Sequence, residues 1–280
     1  MWKVPKPTWT SGQAFLKCIS RVSDPALKAR LHLIEGEIVQ ASDAFEAAAA
    51  SVTLHTLPKA THVGGVTKDE MSDVYTHRMA RKRRAGRAIY DEILAAPAYG
   101  RCPLCGQRTV STLDHHLPKT NYPALAVTPA NLVPSCTDCN KAKLDYIPTT
   151  SGDATLHPYF DDVQEDLWLR AEVVETLPAA LRFFVDLPNH WNATLGSRVR
   201  QHFALLNLSY LYASQAAEEL LNIRYYLSDL FHKAGPDAVK LHLAEKAASC
   251  AQARTNSWQT ATYSALAASD WFCAEGFANA

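Results

Sequence analysis

The sequence predicts a mainly α-helical protein with a small mixed α+β core near its middle. Apolar residues recur at helical spacing over residues 11–55 and again over the last third of the chain. Two Cys-x-x-Cys pairs bracket a short segment between them that is typical of strand and loop. We therefore expect three regions: an N-terminal helical region with a basic patch (1–99), a cysteine-containing core (100–160) and a mostly helical, acidic module (161–280).

The N-terminal region carries recognisable helix signals. Ser23-Asp24-Pro25 predicts a helix start, because an aspartate cap followed by proline suits the first turn. Thr67 to Glu70 forms a capping-box pattern, which should open a helix that carries the basic run. Gly64-Gly65 marks the connection before it, and a further helix is expected from about Arg87 to Ala96.

The C-terminal module should begin with a hairpin and continue as helices. Residues 168–174 and 183–187 are rich in β-branched and aromatic side chains, which favours two strands. The expected helices cover residues 198–206, 213–230, 236–253 and 258–271. Gly235-Pro236 predicts the clearest break between these helices.

The two cysteine pairs have the spacing of a structural zinc site. With two residues between its thiols, each pair can supply two ligands to the same tetrahedral ion. Two such pairs fill all four coordination positions, so none stays open for chemistry. The predicted zinc ligands are Cys102, Cys105, Cys136 and Cys139. Such a zinc would support a neighbouring site rather than react itself.

Between the pairs, a carboxylate is followed at once by an imidazole, at Asp114-His115. This pairing is expected where one residue holds a divalent cation and its neighbour activates water. On a strand expected over residues 110–117, adjacent side chains should leave opposite faces unless the strand bends or ends. Pro118 lacks an amide donor, so it should end the strand and allow a loop to re-aim His115.

These residues resemble the HNH nucleases, whose ββα-metal core is often held together by a zinc site. The resemblance covers roughly residues 100–160. Asp-His-x-x-Pro is present as Asp114 to Pro118, and an Asn-Leu pair as Asn131-Leu132. The helix pattern Cys-x-x-Cys-Asn/His-x-x-Lys is present as Cys136, Cys139, Asn140 and Lys143. Asn140 stands where many members have histidine, a variant that HNH-like nucleases also use.

The resemblance implies a fold and an activity: a ββα-metal core and one-metal hydrolysis of DNA phosphodiester bonds. It implies His115 as general base, Asp114 and Asn140 as ligands of Mg²⁺ or Mn²⁺, and Asn131 as a brace for the loop that carries His115. Similar proteins act in bacterial restriction or phage defence, some beside a nucleotide-hydrolysing regulatory partner. The expected cofactors are therefore structural Zn²⁺ and catalytic Mg²⁺ or Mn²⁺, and the expected partner is DNA.

The formal net charge of zero conceals an asymmetry. Residues 60–150 carry twelve Lys or Arg against eight Asp or Glu, whereas residues 151–280 carry nine against fifteen. The basic charge is concentrated just before the core, which predicts a patch that binds phosphates without sequence preference. The predicted phosphate contacts are Arg78, Arg81, Lys82, Arg83, Arg84 and Arg87, with Lys119, Lys141 and Lys143 in the core.

Other interpretations remain open. The four cysteines could belong to a non-catalytic, zinc-organised nucleic-acid-binding or scaffold protein, and Asn131 and Asn140 could merely cap loops and helices. The basic run could be a solvated helix face. An Asp-His-His triplet also occurs in DHH phosphoesterases, but residues 1–100 offer none of their further aspartate motifs. His157 could add a ligand or pack within its loop.

Composition suits a soluble cytoplasmic enzyme. The 280 residues can bury a sizeable core, the first residues show no apolar run typical of a signal peptide, and no window approaches membrane-spanning length. Of seven cysteines, Cys18, Cys250 and Cys273 remain after the two pairs. Three widely spaced thiols indicate a reducing compartment rather than a disulfide framework.

Overall fold

The computed structural model describes residues 1–278 and divides the chain into two compact units, Met1–Asp162 and Val163–Ala280. The expected change of character near residue 160 coincides with the boundary between the units. The helical region and the cysteine-containing core, which we expected as separate regions, instead lie in one unit. The physical reason is a hydrophobic core that both of them share.

The first unit is mainly helical with two small antiparallel sheets. Its helices are α1 (Ser11–Ile19), α2 (Pro25–Leu33), α3 (Glu35–Ala50), α4 (Lys68–Asp73), α5 (Arg87–Ala95) and α6 (Thr137–Lys143). Its strands are β1 (His62–Val63), β2 (Val66–Thr67), β3 (Thr112–His115) and β4 (Leu132–Ser135). Short 3₁₀ turns connect several of these elements.

The predicted helix starts are confirmed. The Asp24 carboxylate accepts hydrogen bonds from the amides of Ala26 and Leu27, at 2.9 and 3.2 Å, and so caps α2. Thr67 and Glu70 form a reciprocal capping box that opens α4. Glu70 also receives two hydrogen bonds from the Arg30 guanidinium, which ties α4 to α2.

Most of the basic run, residues 81–86, lies on a loop and not on a helix, contrary to our prediction, whereas Arg78 lies on a π-helical turn and Arg87 begins α5. After α4 the chain forms a π-helical turn, Val74–Ala80, and residues 81–86 then connect that turn to α5. The loop passes close to α1 at Gly86, where a Cβ atom would lie 2.5 Å from the Cys18 sulfur. Arg83 adopts a positive φ of 63°, which a continuing right-handed helix would not permit.

One hydrophobic core joins the helices to the central strands. Phe15 of α1, Ile38 of α3 and Ile89 of α5 pack in the same buried cluster as Leu113 of β3 and Leu132 of β4. The four residues of β4 are all buried, so this short strand has no face exposed to water. The strands therefore depend on the helices for the burial of their side chains.

The two central strands and the helix after them position the candidate site. β3 pairs with β4 in antiparallel fashion, with Asp114 opposite Val133 and His115 opposite Leu132. The observed β3 is shorter than the strand expected over residues 110–117 and ends at His115. Cys136 caps α6, which packs against β3.

The second unit is built on a hairpin covered by helices. It comprises β5 (Leu169–Val174), β6 (Ala180–Val185), α7 (Ala193–Leu205), α8 (Leu208–Ala253) and α9 (Trp258–Ala268), followed by a π-helical turn (Phe272–Gly276). The predicted hairpin is confirmed, with β5 and β6 antiparallel. α9 packs on β5, and α8 packs on β6.

α8 folds back on itself at the break predicted for Gly235-Pro236. Gly235 has φ 79° and ψ −177°, outside helical values. The rings of Tyr226 and His242 lie 4.7 Å apart, whereas sixteen residues of straight helix would separate them by about 24 Å. The two halves of α8 therefore run side by side as a helical hairpin.

Residues 1–278 contain no helix that is both long enough and apolar enough to cross a membrane.

Candidate functional site

Four cysteines converge at one point in the first unit. The sulfur atoms of Cys102, Cys105, Cys136 and Cys139 all lie within 4.8 Å of one another, and all four residues are buried. Four thiolates at these separations suit a tetrahedral zinc ion, because zinc–sulfur bonds are about 2.3 Å long. Among the residues that the structure describes, these four cysteines are the group of three or more His, Cys, Asp or Glu side chains that lie close enough together to bind one metal ion.

Backbone and side-chain contacts stabilise both cysteine loops. The Arg108 amide donates to the Cys105 sulfur at 3.5 Å, and the Cys139 amide donates to the Cys136 sulfur at 3.4 Å. The hydrogen bond with Cys102 lowers the pKa of the Cys136 thiol to about 7. An ion pair between Arg108 and Asp138, at 2.9 Å, links the loop of the first cysteine pair to α6. The two amide donors favour negatively charged sulfur at Cys105 and Cys136, the form in which a thiol binds a metal.

A cleft beside β3 and α6 collects the predicted catalytic side chains. It has a volume of about 260 Å³, and its lining includes Asp114, His115 and Asn140. The strand ends at His115, which lets the two consecutive side chains reach the same cleft although they alternate along the strand. The structure thus brings together three of the four residues that the sequence predicted for catalysis.

His115 is held by a backbone carbonyl and an aromatic ring. Its Nε2 lies 2.8 Å from the carbonyl oxygen of Ala126, and its ring packs edge-on against Tyr75 with the centroids 4.4 Å apart. The carbonyl can only accept, so Nε2 carries the hydrogen and the lone pair of the neutral imidazole lies on Nδ1. Burial lowers the pKa of His115 to about 3, which keeps the imidazole neutral at pH 7.

Asn131 braces the loop between β3 and β4. Fully buried, it accepts a hydrogen bond from the Leu117 amide at 2.8 Å and donates to the carbonyls of Leu117 and Leu125, at 3.0 and 3.2 Å. Its own carbonyl accepts from the His116 amide. Because these contacts surround Ala126, they also hold the carbonyl that orients His115.

Lys143 does not occupy the surface position expected of a phosphate contact. Its ammonium is buried, lies 3.1 Å from an oxygen of Asp114 and donates to the His115 carbonyl at 2.7 Å. The last turn of α6 packs against β3, so the side chain points inward. Burial raises the pKa of Asp114 above its usual value, although the ammonium beside it acts in the opposite direction.

The other two core lysines remain accessible. Lys119 is half-buried and lines the cleft, with its Nζ 5.7 Å from the centre of the Tyr75 ring. Lys141 is exposed on α6, in the helix whose middle residue is Asn140.

The basic run divides into exposed and locally bonded residues. Four consecutive side chains, Arg81 to Arg84, are exposed on the loop before α5. Arg78 donates to the Arg21 carbonyl, while Arg87 pairs with Asp91 and also donates to the Ala80 carbonyl. Arg78 and Arg87 thus make local contacts that help to hold the loop in place, and their contact with phosphate stays a prediction.

The two remaining histidines of the core pack together away from the cleft. The rings of His116 and His157 lie 4.2 Å apart, and His157 also packs edge-on against Phe160. The Nδ1 atom of His157 accepts from the Tyr159 amide. Of the two roles considered for His157, the structure shows the packed loop residue.

Two cleft residues were not predicted from the sequence. Tyr75 forms one wall and donates from its hydroxyl to the Leu113 carbonyl at 3.4 Å. Asp145 lies at the rim and accepts a 3.4 Å hydrogen bond from Thr120. Tyr75 belongs to the π-helical turn after α4, far from the motif in sequence, and no local pattern marks it as part of the site.

The chain is 32% identical over 170 residues to Protein ea31 of Escherichia phage lambda. The match covers 59% of this chain and 57% of that protein, so the chain spans somewhat more than half the length of this relative. No family model and no solved structure matches the chain. The name of the phage protein states no activity.

Proposed function

We propose that the protein is a metal-dependent endonuclease that hydrolyses DNA phosphodiester bonds by a one-metal HNH mechanism. The observation that carries the proposal is the cleft in which Asp114, His115 and Asn140 meet. Their elements, two antiparallel strands followed by a helix, have the order of a ββα-metal core. The cysteine cluster lies at the start of that helix, where a structural zinc would hold α6 in place.

In the proposed reaction, a water molecule attacks the phosphorus and the bond to the leaving oxygen breaks. His115 takes a proton from that water at Nδ1, the nitrogen that its contact with Ala126 leaves with a lone pair. The pKa of about 3 describes the cleft without substrate. A phosphodiester anion beside the imidazole would raise that pKa, so substrate binding itself makes His115 a stronger base.

The residues present fit a hard divalent cation. Asp114 offers a carboxylate and Asn140 an amide oxygen, which are the ligand types that Mg²⁺ and Mn²⁺ prefer, and the open cleft leaves room for water and phosphate oxygens. Bound there, the cation would stabilise the charge that develops on the phosphate and the leaving oxygen. Lys119 and the exposed residues Arg81 to Arg84 would hold the DNA backbone.

The deciding experiment is a time course with supercoiled plasmid, single-stranded DNA and RNA, with and without Mg²⁺ or Mn²⁺. His115→Ala should slow cleavage about 100- to 10,000-fold, the usual contribution of a general base. His77→Ala, an exposed histidine outside the cleft, is the matched control and should cleave like the wild type. Cleavage by His115→Ala at the wild-type rate, or cleavage without a divalent cation, would refute the mechanism.

A non-catalytic nucleic-acid-binding or scaffold protein is the second candidate. The observation that favours it is the ion pair between Asp114 and Lys143, because the carboxylate already has a cation partner. This candidate expects zinc binding and salt-sensitive DNA binding, with no effect of Mg²⁺ on DNA integrity. The same time course therefore separates the two functions.

For the biological setting we propose DNA restriction or phage defence, including a nuclease carried by a phage itself. The support is the likeness to a protein of phage lambda. A regulatory protein, such as a nucleotide-hydrolysing subunit, and a cytoplasmic location belong to the same proposal. Co-purification from cells, with and without phage infection, would test for such a partner.

A further inference from the structure

Lys143 places a positive charge inside the first unit. Its side chain is 3% exposed and that of Asp114 is 4% exposed. The Nζ atom lies 3.1 and 3.4 Å from the two carboxylate oxygens of Asp114. Lysine is rarely buried to this extent unless it is paired, because removing an ammonium from water is costly. The pair therefore needs a structural or functional reason.

The same ammonium also contacts the main chain of the neighbouring cleft residue. It donates to the carbonyl of His115 at 2.7 Å, so one group touches both of the last two residues of β3. Lys143 is the last residue of α6, one turn after Asn140. Its position fixes the end of the strand relative to the helix that carries Asn140, and thus the separation of the cleft residues.

We propose that Lys143 is a positioning residue with two effects. First, as a built-in counter-ion of Asp114, it assembles the cleft before any divalent cation binds (the assembly part). Second, a bound cation shares the Asp114 carboxylate with the Lys143 ammonium (the sharing part), which rests on the proposed function, whereas the assembly part does not. Two positive charges beside one carboxylate repel each other. The site is therefore ordered in advance and binds its cation more weakly than an unpaired carboxylate would.

The assembly part is tested by thermal unfolding of the zinc-loaded, full-length protein without added divalent cation. Lys143→Met retains the length of the side chain but leaves the Asp114 carboxylate buried without its partner, so the unfolding temperature should fall. The double variant Asp114→Asn/Lys143→Met removes both charges and should recover most of the loss. Lys17→Met, an exposed lysine on α1, is the control and should unfold like the wild type.

The double variant keeps this test decisive if Lys143→Met alone does not fold. Recovery of folding when Asp114 is also neutralised supports the counter-ion role. A double variant no more stable than Lys143→Met, or a Lys143→Met variant as stable as the wild type, would overturn it.

The sharing part is tested by titration of the zinc-loaded proteins with Mn²⁺, with the free ion measured by electron paramagnetic resonance. Removal of the competing charge should tighten Mn²⁺ binding by Lys143→Met about tenfold or more. Equal or weaker binding by that variant would overturn the sharing part. Absence of Mn²⁺ binding in both proteins would overturn it together with the proposed function, while the unfolding result would still decide the assembly part.

Discussion

Replacing Asn131 with alanine tests how the loop between β3 and β4 is held. The substitution removes three buried hydrogen bonds to the backbone of Leu117 and Leu125. Each contributes about 1 kcal/mol net, and a backbone group left buried without a partner costs about 1–3 kcal/mol. We expect a loss of about 3–5 kcal/mol, a large share of the roughly 5–15 kcal/mol that stabilises a typical domain.

The Asn131→Ala substitution should loosen the loop between β3 and β4 more than the rest of the unit. The Ala126 carbonyl that contacts His115 belongs to this loop. Hydrogen exchange measured by mass spectrometry should show faster exchange of the Leu117 amide in Asn131→Ala, with urea unfolding giving the free energy. Asn121→Ala, in the same loop but partly exposed, is the control. Unchanged exchange at Leu117, or a loss below about 1 kcal/mol, would refute the bracing role.

Three further predictions concern the metal, the pH and the charge. Cys136→Ser should retain less than one equivalent of zinc per chain after dialysis, as measured with a chromophoric chelator; full retention would contradict a four-cysteine site. The hydrogen bond from Arg30 lowers the pKa of Glu70 from its usual 4.5 to about 2, so its stabilising effect is complete above about pH 4.5 and is lost as the pH falls toward 2. Glu70→Gln should therefore destabilise the protein at pH 7 and weaken the dependence of urea unfolding on pH below 4.5; an unchanged dependence would contradict the shift. Replacing residues 81–84 with glutamine should weaken DNA binding and reduce the slope of log affinity against log salt by up to about 4, while Lys59→Gln, an exposed control, should change the slope by at most about 1.

Local signals in the sequence predicted the elements that depend on neighbouring residues. The cap at Asp24, the capping box from Thr67 to Glu70 and the spacing of the cysteine pairs each involve residues within a few positions of one another. The turn at Gly235-Pro236 was predictable because it too depends on adjacent residues, and the observed backbone angles of Gly235 are ones that glycine readily adopts. These features depend on short-range geometry.

Features that depend on packing between distant elements were not predictable in the same way. A lysine on a short helix is usually solvated, and only the contact of α6 with β3 buries Lys143 beside Asp114. The basic run resembles a helix face in sequence, because nothing in its charge pattern indicates the turn near Gly86. That turn depends on the close contact between Gly86 and Cys18 of α1. Tyr75 reaches His115 only because the π-helical turn after α4 packs beside the central strands.

The hydrophobic core that the helices share with the central strands limits which segment of the chain can be transferred by recombination into another protein and still fold. A fragment of residues 100–160 would carry all four cysteines and the three cleft residues, but it would expose Leu113 and Leu132, which share one buried cluster with Ile89 and Phe15 of the preceding helices. Such a fragment would be prone to aggregation rather than active. The compact unit that contains this core is residues 1–162, so we expect recombination that preserves the site to carry the surrounding helices with it.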